Sequence, residues 1–117
     1  MTTLALLPAT TFGTPSGNYN GNSTSFIGNA VPAANYYGGQ GSIQTLNFSI
    51  SNLAATLTTQ ATLSDDPTLD FWFEVETLTA NIATNTVTYS PIGNFSWLRV
   101  AVTNFTAGSI TVATVTY

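Results

Sequence analysis

The chain has 117 residues, of which only 5% are charged, with a formal net charge of −4, a single cation at Arg99, and no His, Cys or Lys. An average soluble domain carries about 25% charged residues, so the surface here is left to Thr, Ser, Asn, Gly and apolar side chains. This inventory excludes disulfides, thiolate nucleophiles and Cys- or His-based metal sites. One cation cannot neutralise a phosphate backbone or an anionic leaflet, which argues against nucleic-acid and membrane-surface partners.

The length predicts one domain with one core. Its 44% hydrophobic residues never run to the ~18 consecutive apolar positions of a membrane-spanning helix. The first eight residues lack a basic start, and their apolar stretch at 4–7 is too short for a signal peptide. Low charge density also weakens repulsion between identical copies, which favours assembly.

In chain order, residues 1–40 are interrupted by Gly13, Pro15, Gly17, Gly21, Gly28, Pro32, Gly38 and Gly39. Strands are predicted only at 3–7 and 25–27, with long loops between them. This segment is expected to contact an assembly partner through Phe12 and Tyr19, ordering residues 13–24, while residues 41–117 form the folding core. Leu46, Phe48 and Ile50 alternate with Asn47, Ser49 and Ser51, the period-two pattern of a half-buried strand. Ser51 and Asn52 are the expected turn into a second strand, where Ala55, Leu57, Thr59, Ala61 and Leu63 share one parity.

Asp65, Asp66, Pro67 and Asp70 punctuate the chain before a third strand, in which Phe71, Phe73 and Val75 are predicted to face the core. Residues 86–89 read as a short strand ended by Pro91 and Gly93. Residues 94–103 read as a long one, with Leu98, Val100 and Val102 inward and Trp97, Arg99 and Ala101 outward. In the tail, Ile110 and Val112 share one parity and Val115 and Tyr117 the other, which implies either a bulge or burial of both faces. The expected architecture is all-β: an antiparallel two-sheet sandwich of jelly-roll type.

Asp65, Asp66 and Asp70 are hard oxygen ligands within one loop, but not at EF-hand spacing, and Asp is a common turn residue. No metal is assigned. Glu74 and Glu76, read as sharing a strand face, invite a two-carboxylate hydrolase reading that nothing else in the sequence supports, so no catalytic residue or cofactor is assigned. Trp72 and Trp97 have the parity opposite to their strands' aliphatic sets and can serve in core packing, in an interface or in stacking on a sugar. Tyr36 and Tyr37 join them as candidate platforms. Arg99 either anchors an interface or pairs with a sheet-face carboxylate. The glycosylation sequons at Asn22, Asn47, Asn94 and Asn104 are discounted, since a chain so rich in Asn, Ser and Thr generates them by chance.

Several segments together resemble small virion structural proteins of contractile-tailed phages that infect cyanobacteria. They are Gly28-Asn-Ala-Val31 with Tyr36-Tyr37-Gly38, Gln44-Thr-Leu-Asn-Phe48, Gln60-Ala-Thr-Leu63 with Asp70-Phe-Trp-Phe73, and Gly93-Asn-Phe-Ser-Trp-Leu-Arg99 with Asn104-Phe-Thr-Ala-Gly-Ser-Ile110. The last resembles the closing hairpin of phage β-sandwich modules, with its turn at Thr-Ala-Gly-Ser. The resemblance implies a non-enzymatic module on the particle surface, made in the host cytoplasm. Its expected partners are other virion proteins, either the major capsid protein or neck and tail proteins, with a homo-oligomer such as a trimer as the working form. The expected role is capsid decoration, with a neck, tail or fibre position, or adhesion to a host glycan, as alternatives.

Overall fold

The computed structural model describes residues 2–35, 41–64, 66–68 and 71–117. Seven strands form one antiparallel sheet: β1 (Thr3–Leu7), β2 (Thr10–Thr11), β3 (Phe26–Ile27), β4 (Val31–Pro32), β5 (Thr45–Thr62), β6 (Phe73–Tyr89) and β7 (Trp97–Thr116). The described residues contain no helix, so the all-β antiparallel expectation holds. The strand order is β1-β7-β5-β6, and β2, β3 and β4 also pair with β7. The sheet is therefore three long strands wide, with β5 in the centre and the N-terminal segment laid piecewise along the outer edge of β7.

A straight strand rises about 3.3 Å per residue, so the 20 residues of β7 would reach roughly 65 Å. The whole molecule is only 39 Å in its longest dimension. The long strands must bend, and the backbone marks where: Asn52, Ile82 and Asn104 have φ near +50°, and Gly108 has φ +86°. Register shifts fall beside these residues in both long ladders. The bend crosses all three strands as one line.

Each inserted residue flips side-chain parity, which is why one face stays apolar on both sides of the bend. In β5 the buried set passes from Leu46, Phe48 and Ile50 to Leu53, Ala55 and Leu57; in β7 it passes from Leu98, Val100 and Val102 through Phe105 and Ile110 to Ala113 and Val115. All belong to a single core cluster. The expected turn at Ser51 and Asn52 is thus a bulge inside a continuous strand. Asn52 suits it because Asn tolerates the left-handed region, and its backbone N–H donates to Thr84 Oγ1 at 2.9 Å.

The hairpin expected at Thr-Ala-Gly-Ser is corrected in the same way, because β7 runs through it. Gly108 is required there: its φ is positive, and a Cβ would overlap the Asn52 carbonyl. The short strand expected at 86–89 is the end of β6. The tail's parity change is a bulge, with Ile110 buried, Val112 37% exposed and Val115 buried.

Two further expectations fail at the start of β6. Phe71 and Phe73 are 68% and 42% exposed rather than in the core. Phe73 begins the outermost long strand, opposite Ala61 of β5 and with no described strand on its other side, and meets core residue Phe95 edge-on at 5.8 Å; Phe71 lies two residues before that strand. Glu76 opposes Thr59 and Glu74 opposes Gln60, which leaves Val75 as the extra residue of a bulge. The two acids therefore point to opposite faces.

The predicted strands at 3–7 and 25–27 correspond to β1 and β3. Tyr19, between them, is 1% exposed. Its ring packs against Phe26 and Phe105 at 5.1 Å each, and its hydroxyl accepts the Gly13 N–H at 2.9 Å. Its expected role as a contact to another subunit is corrected: it is a core residue of its own chain.

Candidate interaction surface

Residues directly opposite in antiparallel strands share a face. On the outer face, away from the core, Glu74, Gln60 and Arg99 form a row across β6, β5 and β7. Arg99 Nε donates to Gln60 Oε1 at 2.7 Å. The guanidinium carbon lies 4.2 Å from the centroid of Trp72, a cation–π stack that fixes the chain entering β6 onto a residue of β7. Trp97 lies two residues from Arg99 on the same face, paired with Thr62 of β5 and Pro32 of β4, and is half-buried. Of the candidate residues, the fold gathers Trp72, Trp97 and Arg99.

Phe12 is apart from them, 44% exposed, with its ring edge-on to Phe105 at 5.5 Å. Tyr36 and Tyr37 lie outside the described residues, as do Asp65 and Asp70 of the acidic loop. Asp66 Oδ1 accepts both the backbone N–H and the hydroxyl of Thr68, at 2.9 and 2.6 Å. These bonds favour the carboxylate and hold its pKa below the ordinary Asp value. Asp66 is organising a turn.

The remaining outer surface is hydroxyl-rich. Thr3 and Thr116 share a hydrogen bond at 2.9 Å, Thr45 and Ser90 another at 2.9 Å, and Ser49 and Thr86 one at 3.2 Å. Cross-strand pairing of this kind satisfies polar groups without ions. A cleft of about 220 Å³ opens between β1 and β3, lined by Leu6, Leu7, Pro8 and Phe26 with Asn18 and Asn29. Asn18 donates to the Ile27 carbonyl and to Asn29 Oδ1. Among the described residues no ionisable side chain lines it, so these residues offer shape and apolar contact.

The edge of β6 is the feature that residue-by-residue reading missed. No described strand pairs with its outer side, and beyond Glu76 it runs to Tyr89 without a charge or a proline. Exposed apolar side chains sit at both ends, Phe71 and Phe73 at its start and Tyr89 and Ile92 at its close, with Ile43 bridged to Ile92. The run of Thr, Val and Ala was visible in the sequence; its edge position was not.

No family model, curated protein or solved structure matches this chain.

Proposed function

We propose that this protein is a structural component of a phage virion, acting by adhesion rather than by catalysis, and that its working place is the capsid surface as a decoration protein. One observation carries the reading: a surface nearly without charge flanks a long strand edge that no described strand covers, with apolar side chains at both ends. Soluble monomers normally blunt such edges with Lys, Pro or a covering element. In this reading the two halves of the bent sheet act as the layers of a jelly-roll-like sandwich, a stiff body that presents edges and loops to its neighbours. The working form is a symmetric homo-oligomer.

Quantitative mass spectrometry of purified particles tests the role. A copy number commensurate with the capsid lattice is expected. A few copies per particle would move the protein to the neck, tail or fibre, and absence from particles would overturn the virion reading.

A second reading, adhesion to a host glycan, is favoured by Trp97, half-exposed on the outer face beside Arg99. In that reading Trp97 supplies the stacking platform. Glycan binding that is lost in Trp97→Ala, with the fold retained, would place this reading first.

A further inference from the structure

We infer that the β6 edge is a docking strand for a second copy of the same chain, paired antiparallel across a two-fold axis at Asn81 and Ile82. The inference names a partner for the assembly role proposed above, and it is read out on the purified chain rather than on particles.

The backbone specifies which residues of β6 offer their N–H and C=O groups outward. The Val100 carbonyl accepts the Gly28 N–H, so Val100 faces the N-terminal segment and Ala101 faces β5. Thr58, opposite Ala101, therefore bonds to β7, and Thr77, opposite Thr58 on the other side, points away from the sheet. Thr79 shares that direction. Tyr117 and Thr2 exchange both backbone bonds, which turns Thr114 toward Asn47 and leaves Thr88 and Thr86 facing out.

Two contacts agree with this assignment. The Thr77 N–H donates to Glu76 Oε1 at 3.0 Å, and the Thr86 N–H to Asn85 Oδ1 at 2.8 Å, each an adjacent side chain standing where a strand carbonyl would be. The outward set is odd-numbered before Ile82 and even-numbered after it, because the left-handed residue flips the parity.

That flip makes the edge complementary to itself. An antiparallel copy can set Thr77 opposite the partner's Thr86 and Thr79 opposite the partner's Thr84, outward groups meeting outward groups. The bend of each copy then falls beside the bend of the other, so the trough of one continues into the next. On the core side Glu76 faces the partner's Val87. Beyond the bulge at Val75, Glu74 faces the partner's Thr88 and Phe73 faces the partner's Tyr89. Neither acid meets an acid, and the exposed apolar side chains at opposite ends of β6 are brought together.

A three-fold assembly would instead need β6 to pair with a different edge. The N-terminal edge offers only strands of two to five residues, interrupted by Pro8, Pro15 and Pro32. The two-fold is therefore preferred to the trimer expected from the sequence.

Light scattering after size exclusion should give a dimer for the natural chain. Thr79→Pro removes an outward N–H that the fold does not use, a substitution edge strands tolerate. Losing that bond in both copies, at about 1 kcal/mol each, should weaken dimerisation about 30-fold with the far-UV spectrum unchanged. The cysteine-free chain allows a second test that does not depend on that variant folding. Bonded antiparallel pairs have Cα atoms about 5.5 Å apart, within disulfide reach. An oxidised equimolar mixture of Thr77→Cys and Thr86→Cys should thus cross-link far more than either alone.

A monomer or trimer, a dimer indifferent to Thr79→Pro, or cross-linking no greater in the mixture than in the single variants would overturn the pairing. A monomer that is nevertheless found at high copy number in particles would sink the pairing and leave the virion role standing.

Discussion

The two edges of this sheet are built on opposite plans. Along β7 the chain covers its own edge with β1 to β4, short strands separated by Gly and Pro and anchored through Tyr19 to Phe26 and Phe105. Prolines remove backbone donors and loop excursions interrupt the row, so another chain has little continuous edge to pair with. The β6 edge has 17 residues, no proline and no lysine, and acids only near its start. Its sole irregularity beyond the Val75 bulge is Ile82 at φ +52°, a region a β-branched residue rarely enters. The difference teaches that glycine- and proline-rich chain can serve to cover a sheet: here it closes the β7 edge over the core, while the regular strand keeps an edge that no described strand covers.

The largest expected effect breaks the comparison on its N-terminal side. Tyr19→Ala should destabilise the isolated protein by about 3–5 kcal/mol, as deletion of a buried aromatic ring does, measured by urea unfolding. A loss below about 1 kcal/mol would instead make residues 13–24 an arm that packs only on partners.

The next effect concerns the bend that both edges share. Gly108→Ala should cost about 2–3 kcal/mol, because φ +86° and the Asn52 carbonyl both exclude a Cβ. Thermal melting of this variant, with the natural chain beside it, checks the value; an unchanged midpoint would mean that the bend at β7 tolerates a side chain.

Ile82 is the counterpart on the open edge, and its substitution should have the opposite sign. Ile82→Gly relieves the left-handed strain and should stabilise the monomer by about 0.5–1 kcal/mol, while weakening dimerisation by removing an apolar side chain at the two-fold. Stability and association moving in the same direction would argue against a position strained for the sake of pairing.

The smallest effect lies where the N-terminal edge meets the chain's end. The Tyr117 hydroxyl donates to the Pro32 carbonyl at 2.9 Å, and burial pushes its pKa above the ordinary tyrosine value. The folded chain thus holds this proton more tightly than the unfolded chain. The associated stability is complete below the unfolded pKa of about 10 and is lost as pH rises through the folded value. Melting temperature should fall more steeply above pH 10 in the natural chain than in Tyr117→Phe.

Much of this molecule was legible from alternation alone. Leu46, Phe48 and Ile50 announce one side of a strand, as do Leu98, Val100 and Val102, because a period of two leaves those side chains no other common face. Composition determined the all-β class and the poverty of charge. Of the candidate surface, the outward parity of Trp97 and Arg99 was readable, but the stacking of Trp72 on Arg99 was not, since it joins the residue just before β6 to β7, a strand that β6 does not neighbour.

What only the tertiary structure decided was continuity and exposure. Asn52, Ile82 and Gly108 look like turn residues or ordinary strand residues one at a time; only their alignment across adjacent strands converts three local irregularities into one bend. Tyr19 sits in a Gly- and Asn-rich stretch, and its burial depends on Phe105, a partner far along the chain. Phe73 has a core-facing parity and is still exposed, because burial requires a neighbour on that side and no described strand flanks β6 there. Periodicity is a local property that the sequence carries by itself, whereas an edge is a statement about what is missing beside a strand, which only the assembled sheet can express.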